Sequence, residues 1–220
     1  MNKKTLGVIV AVIIVCVVGV ATFFFLNHKN LESEKEDNKN RNEITSDEKQ
    51  NSEKSTNVEG NGKVLVVYYS ATNHTKNVAE KLSENLGGDT FEIIPEDPYT
   101  SDDLDWTDTK SRVSKEYDDE SLRNVKLKTT KVDHWDRYDT ILIGYPIWWG
   151  VAAWPVNNFV KDNDFNGKTV IPFCTSSSSG LGESGELLKS IANGGNWLEG
   201  HRFRSSPSDS DIKEFADSIQ

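Results

Sequence analysis

Between residues 63 and 82 the chain reads KVLVVYYSATNHTKNVAEKL. An apolar run breaks into Ser70-Ala71-Thr72-Asn73-His74-Thr75, and an amphipathic pattern follows at once. A strand that hands over to a helix in this way sets the unpaired N–H groups and partial positive charge of a helix N-terminus beside hydroxyl and amide side chains. Those are the donors a phosphate takes. The loop holds no Lys or Arg, and it carries neither the GxxxxGK[ST] of a triphosphate site nor the GxGxxG of a dinucleotide site. A single terminal phosphate matches it best. The competing reading is that these residues cap the helix, for which one of them would suffice.

Two further stretches carry related chemistry. Pro146-Ile147-Trp148-Trp149-Gly150 follows the apolar run TILIGY, and Thr175-Ser176-Ser177-Ser178, with Gly180 beyond, follows TVIPFC. Exposing two adjacent Trp is costly unless something flat packs on them, so Trp148 and Trp149 suit a planar aromatic ligand. Burial under a neighbouring helix is the alternative. The Ser/Gly loop either aims backbone N–H groups at a ligand or is a plain surface turn. No acid–base pair and no nucleophile with its base stands out, so any chemistry must arrive with the ligand.

The elements before these loops must bring them together. Residues 64–69, 140–145 and 169–174 are continuous apolar runs, the mark of strands covered on both faces. Residues 76–86 carry Val78, Ala79, Leu82 and Leu86 on one helical face, and Gly87-Gly88 ends the pattern. Residues 90–94 predict a second strand and 202–204 a short fifth. Helices are expected around 109–121, over 154–160 with Pro155 in the first turn, over 183–191 and over 209–219. Strands alternating with helices give right-handed crossovers and a parallel sheet. Ligands of such sheets sit outside the carboxyl ends of the strands, where all three polar loops fall.

The rest of the chain divides into three zones: 1–26, 27–62 and 63–220. Residues 5–26 hold no charge and are long enough to span a bilayer as a helix. Lys3 and Lys4 precede them, which predicts a single-pass cell-membrane anchor with the remainder extracytoplasmic. A cleaved signal peptide ending near Gly19-Val20-Ala21 is the rival reading. Residues 27–62 are polar and densely charged, with Leu31, Ile44 and Val58 as their apolar members. They read as a disordered tether with a root-mean-square reach of roughly 30–36 Å. The net charge of −10, with no Lys/Arg-rich patch, argues against a nucleic-acid binder. Cys16 and Cys174 form no CxxC, and the four His are scattered, so no metal site is expected.

Taken together, Tyr69–Thr75 (YSATNHT), Tyr145–Gly150 (YPIWWG) and Pro172–Gly180 (PFCTSSSSG) resemble the flavodoxin family. The closest likeness is to the branch reading YS-x-T-x-x-T and YPIWWG; DLDW at 103–106, with Ser111-Arg112 following, is similar to it as well. The resemblance covers 63–220. It implies a flavodoxin-like, doubly wound five-stranded parallel sheet of order 2-1-3-4-5, and non-covalent FMN. It also implies residue roles. Ser70, Ala71, Thr72, Asn73, His74 and Thr75 would hold the phosphate. Pro146, Ile147, Trp148, Trp149 and Gly150 would flank the isoalloxazine, and Thr175, Ser176, Ser177, Ser178 and Gly180 would meet its polar edge. Asn73 stands where many members of the family carry Gly. The function implied is electron transfer through FMN with a redox protein or a membrane quinone as partner. An NAD(P)H-dependent quinone or small-molecule reductase, and a flavin-free partner-binding module on the same fold, remain as alternatives. A phosphorylation-type receiver domain is excluded, because Tyr145-Pro146 and Ser70-Ala71 occupy its acidic positions.

Overall fold

The computed structural model describes residues 62–220. The expected anchor over 5–26 lies outside them, as does the expected tether over 27–62 apart from its last residue. Among the described residues no helix is long and apolar enough to cross a membrane.

The first strand, β1 (Lys63–Tyr68), shows how the domain is organised. Its side chains alternate between two cores, as a period of two requires. Leu65 and Val67, with Tyr69 just beyond, join one; Val66 and Tyr68 join the other. Helix α1 (His74–Leu86) lays Val78, Ala79 and Leu82 on the second face. It stops at Gly87, whose φ of 62° lets the Gly88 N–H return to the Ser83 carbonyl at 2.9 Å. β2 (Asp89–Glu92) then pairs parallel to β1.

A long excursion follows. It contains α2 (Arg112–Asp118), shorter than the expected 109–121 because Ser111 caps it by accepting from the Ser114 N–H. The chain then enters β3 (Tyr138–Trp148), eleven residues long and parallel to β1. β3 runs past the expected end at Tyr145 and turns back into β4 (Val151–Ala152) as an antiparallel hairpin. α3 (Pro155–Asp162), β5 (Thr169–Ser176) and α4 (Ser184–Ile191) complete the next crossover, and α3 and α4 supply Val156, Phe159, Val160 and Leu188 to the first face. β6 (Asn196–Trp197), β7 (His201–Arg204) and α5 (Asp209–Ser218) close the domain. A reciprocal cap between Ser208 and Asp211 opens α5, which packs beside α1 through Ile212 and Ala216.

The sheet runs β2-β1-β3-β5-β6, with β7 also on β5 and β4 on β3. β6 pairs with Thr169 and Val170 of β5, while β7 pairs with Phe173–Ser176. The expected five-position order therefore stands, but the fifth position is two short strands rather than one over 202–204, and β4 adds a hairpin arm. The break lies opposite Pro172, which has no N–H to give to a ladder, and Gly200 fits against the Pro172 carbonyl. Cys174 is fully buried, and burial pushes its thiol up to about 12, so it is an inert core residue.

At Gly144 in the middle of β3, an added Cβ would collide with the Phe173 ring. Gly144→Ala is expected to destabilise the domain by about 1–3 kcal/mol through overpacking, read as a lower urea midpoint at unchanged slope.

Candidate functional site

The carboxyl ends of β1, β3 and β5 converge. Thr75, in the first turn of α1, and Thr175, near the end of β5, are both buried, and their Oγ1 atoms are hydrogen-bonded at 2.8 Å. Pro146 lies level with Thr175 in the β3–β5 register. A Cβ on Gly182 would stand 3.7 Å from the Gly150 carbonyl oxygen, so the loops after β3 and β5 nearly touch. Residues from all three polar stretches thus share one edge.

The loop after β1 decides between capping and ligand binding. The residue at the start of α1 is Asn73, with φ at 64°, a left-handed conformation that Asn tolerates better than most. Its side chain makes no capping bond, so the first N–H groups of α1 have no side-chain acceptor. Thr72, Asn73 and His74 are exposed and Ala71 is half-buried. The Ser70 Oγ is buried and has no hydrogen-bond partner. A buried hydroxyl left unpaired is costly. Four polar side chains crowd a helix start, and none of them caps it.

The Trp pair behaves differently from the expectation of two exposed rings on a loop. Trp148 is the last residue of β3 and packs edge-on against Tyr69, Tyr99 and Trp154, at centroid distances of 5.7, 5.1 and 5.4 Å. It is half-buried, its ring held edge-on by packing against the core clusters. Trp149 is exposed and stacks on Tyr117 at 4.6 Å with an interplanar angle of 14°. Trp149 and Gly150 have φ of 46° and 84° and form a two-residue type I′ turn between β3 and β4. Beside this turn, Leu104, Trp106, Val113 and Ile147–Trp149 line an apolar cavity of about 370 Å³. Trp106 is 72 % exposed.

Several residues that matter here were not legible as site residues. Glu116 is buried; it accepts from the Tyr99 hydroxyl at 2.6 Å and from Arg112 Nε at 2.9 Å. The Arg112 guanidinium lies 3.9 Å over the Tyr99 ring. This network braces the β2–β3 excursion against Trp148. Burial, with the bond to Glu116, holds the Tyr99 phenol well above its ordinary range. Arg202 donates to the Ser176 carbonyl and hydroxyl at 2.9 and 3.2 Å. Ser176 Oγ also contacts the Ser179 carbonyl, and Ser177, Ser178 and Gly180 are exposed. One signal was readable: Gly180-Leu181-Gly182-Glu183-Ser184-Gly185 spells GxGxxG from the loop after β5 into the first turn of α4. Gly182 there has φ 55°, and Gly185 fits against the Pro172 ring. Among the described residues no cluster could hold a metal ion.

The family model described as Flavodoxin matches residues 63–219. The chain belongs to the flavodoxin family. Two crystal structures described as "putative flavoprotein" are similar to it. The one from Bacteroides eggerthii has 42 % identity and a TM-score of 0.65, covering 72 % of this chain and 98 % of its own. The one from Bacteroides uniformis has 39 % identity and a TM-score of 0.65, covering 71 % and 98 %. A flavoprotein from Lactobacillus acidophilus, crystallised in complex with FMN, shares the fold at 23 % identity and a TM-score of 0.50, over 70 % of this chain and 99 % of its own. No curated protein matches the chain.

The Thr75–Thr175 pair yields a stability test. Thr175→Val in the flavin-free protein strands a buried hydroxyl and is expected to cost about 1–3 kcal/mol. Adding Thr75→Val removes the orphan, so the double variant should lose less than the two single losses combined in urea denaturation.

Proposed function

We propose that this flavodoxin-family protein holds FMN non-covalently at the carboxyl edge of its sheet and passes electrons between redox partners. The observation that carries this reading is the buried, partnerless Ser70 hydroxyl beside the uncapped start of α1. Together they form a donor set that lacks its acceptor, and a phosphate monoester supplies one. Ser70, Thr72, Asn73 and Thr75 would hold the phosphate, with Ala71 and His74 completing the loop. Pro146–Gly150 would flank the ring. Thr175, Ser176, Ser177, Ser178 and Gly180 would meet its polar edge. The FMN complex of the distant Lactobacillus relative supports the choice of flavin. When bound, the flavin supplies one- and two-electron chemistry; the chain binds it, orients it and sets its electrostatics.

A second reading is an NAD(P)H-dependent reductase of quinones or small molecules. It is favoured by the apolar cavity beside Trp106 and Trp149, which suits a flat second substrate. In either case the proposal includes tethering to the cell membrane through residues 5–26, the domain facing outward, and a membrane quinone or anchored redox protein within reach of the 27–62 segment.

Two measurements test these statements. The purified chain, incubated with FMN and desalted, should retain a flavin absorption spectrum and show quenched Trp emission. Ser70→Ala should bind FMN about tenfold to 150-fold more weakly, the loss of one hydrogen bond to a charged group worth about 1.5–3 kcal/mol. A colourless protein with unchanged emission would leave the flavin-free module standing. With FMN loaded, rapid oxidation of NADPH on adding a soluble quinone would favour the reductase over the carrier. For topology, protease added to intact cells should remove the domain; protection until lysis would place it inside.

A further inference from the structure

We infer that Arg202 is a positioning residue that raises the reduction potential of the bound flavin, by setting an unpaired positive charge behind the Ser176 end of the site. The inference rests on the FMN reading above. β7 pairs with β5 so that Arg202 lies level with Cys174. Its side chain does not stay level. It reaches two residues along β5, about 6.6 Å at a strand rise of ~3.3 Å, and both of its hydrogen bonds end on Ser176. The guanidinium is thereby carried to the carboxyl edge of the sheet, where the ligand loops begin.

The charge balance around it is unusual within this domain. Arg112 and Arg123 are ion-paired with Glu116 and Glu120. Arg137 and Arg204 are exposed, so water compensates them. Arg202 is half-buried, and none of the ion pairs among the described residues involves it. Glu186 and Glu199 line one cavity that Arg202 borders, of about 380 Å³, and Asp211 and Glu214 line a second; all four are exposed, and Glu186 is paired with Lys189. Both partners of Arg202 are neutral oxygens on Ser176. They satisfy its hydrogens without neutralising its charge, and Arg does not deprotonate in proteins. A half-buried cation is screened less than a fully exposed one.

Reduction of FMN is the event that would use it. The ring takes up two electrons and one proton, and so gains one net negative charge. A fixed cation at the polar edge favours that charged form over the neutral oxidised ring, and charge near this edge is a standard lever on flavin electronics. In an otherwise acidic chain, with net charge −10, Arg202 offsets a field that opposes reduction.

The test is an equilibrium photometric titration of the FMN-loaded full-length protein, with dithionite as electron donor and a reference dye, for wild type, Arg202→Gln, Arg202→Lys and Arg204→Gln. At the potential where the wild type is half-reduced, Arg202→Gln should show a reduced-to-oxidised ratio about tenfold lower, which is about 30 mV for a two-electron couple. Arg202→Lys keeps the charge and should stay within about twofold of wild type, as should Arg204→Gln on the same strand. An unchanged midpoint in Arg202→Gln overturns the inference. So does an Arg202→Lys midpoint as low as that of Arg202→Gln, since the fork geometry rather than the charge would then be responsible; so does an equal shift in Arg204→Gln. Should Arg202→Gln not retain FMN, the wild type decides. The break in the pH dependence of its midpoint marks protonation of the reduced ring, and it should fall below that of free FMN; a break at or above the free value overturns the inference. A wild type that retains no FMN defeats the cofactor reading itself, an outcome distinct from all of these.

Discussion

A parallel sheet buried on both faces cannot turn its chain at the edge where each strand ends. Every strand of β1, β3 and β5 must hand over to a crossover that packs on one face and returns to the opposite edge. In this domain the constraint is met by alternation within the strands themselves, with Leu65 and Val67 beneath α3 and α4, and Val66 beneath α1 and α5. Because the strands are parallel, the hand-over loops accumulate at one edge. The Ser/Thr loop, the Trp-Trp-Gly turn and the Ser/Gly loop are neighbours for this reason, although they are separated by dozens of residues in the chain.

At that edge the usual rule of pairing every buried polar group is relaxed. Thr75 and Thr175 satisfy each other, and Glu116, Tyr99 and Arg112 form a closed network. Between these anchored pairs stand the Ser70 hydroxyl, the free N–H groups of α1 and the unneutralised Arg202. The satisfied pairs hold the frame, and the unpaired donors and the unneutralised charge are the groups that a charged or polar ligand would meet. The aromatic wall of Tyr69, Tyr99, Trp148 and Trp154 is already packed and gives the site its shape, although within it the buried Trp154 Nε1 has no partner.

Much of this was legible in the chain. The runs KVLVVY and TVIPFC have no reading other than buried strands once Gly and polar clusters bound them, and the 3.6-residue spacing of Val78, Ala79 and Leu82 fixes the inner face of α1. Other features depend on contacts far apart in sequence. Nothing local says that β3 continues through Pro146-Ile147-Trp148, since Pro usually argues against a strand interior; pairing with β4 and with Thr175 decides it. The split of the edge strand depends on what Pro172 offers to a neighbour about thirty residues away. Arg202 read as one more charge on a short final strand, because its role comes from reaching along β5 to Ser176.

The turn at Trp149-Gly150 carries a consequence for how the chain has been shaped. A type I′ turn is most at ease with Asn-Gly, and an L-residue as bulky as Trp in the left-handed region forgoes roughly 1–2 kcal/mol. Asn at position 149 would ease the turn and would lose the aromatic surface packed against Tyr117 and Trp154. The present chain retains an aromatic ring at the tip of a strained hairpin, beside the cavity next to Trp106. The backbone cost at position 149 is set against the stacking of its indole on Tyr117 and Trp154, so the hairpin tip is held by its side chain rather than by its turn.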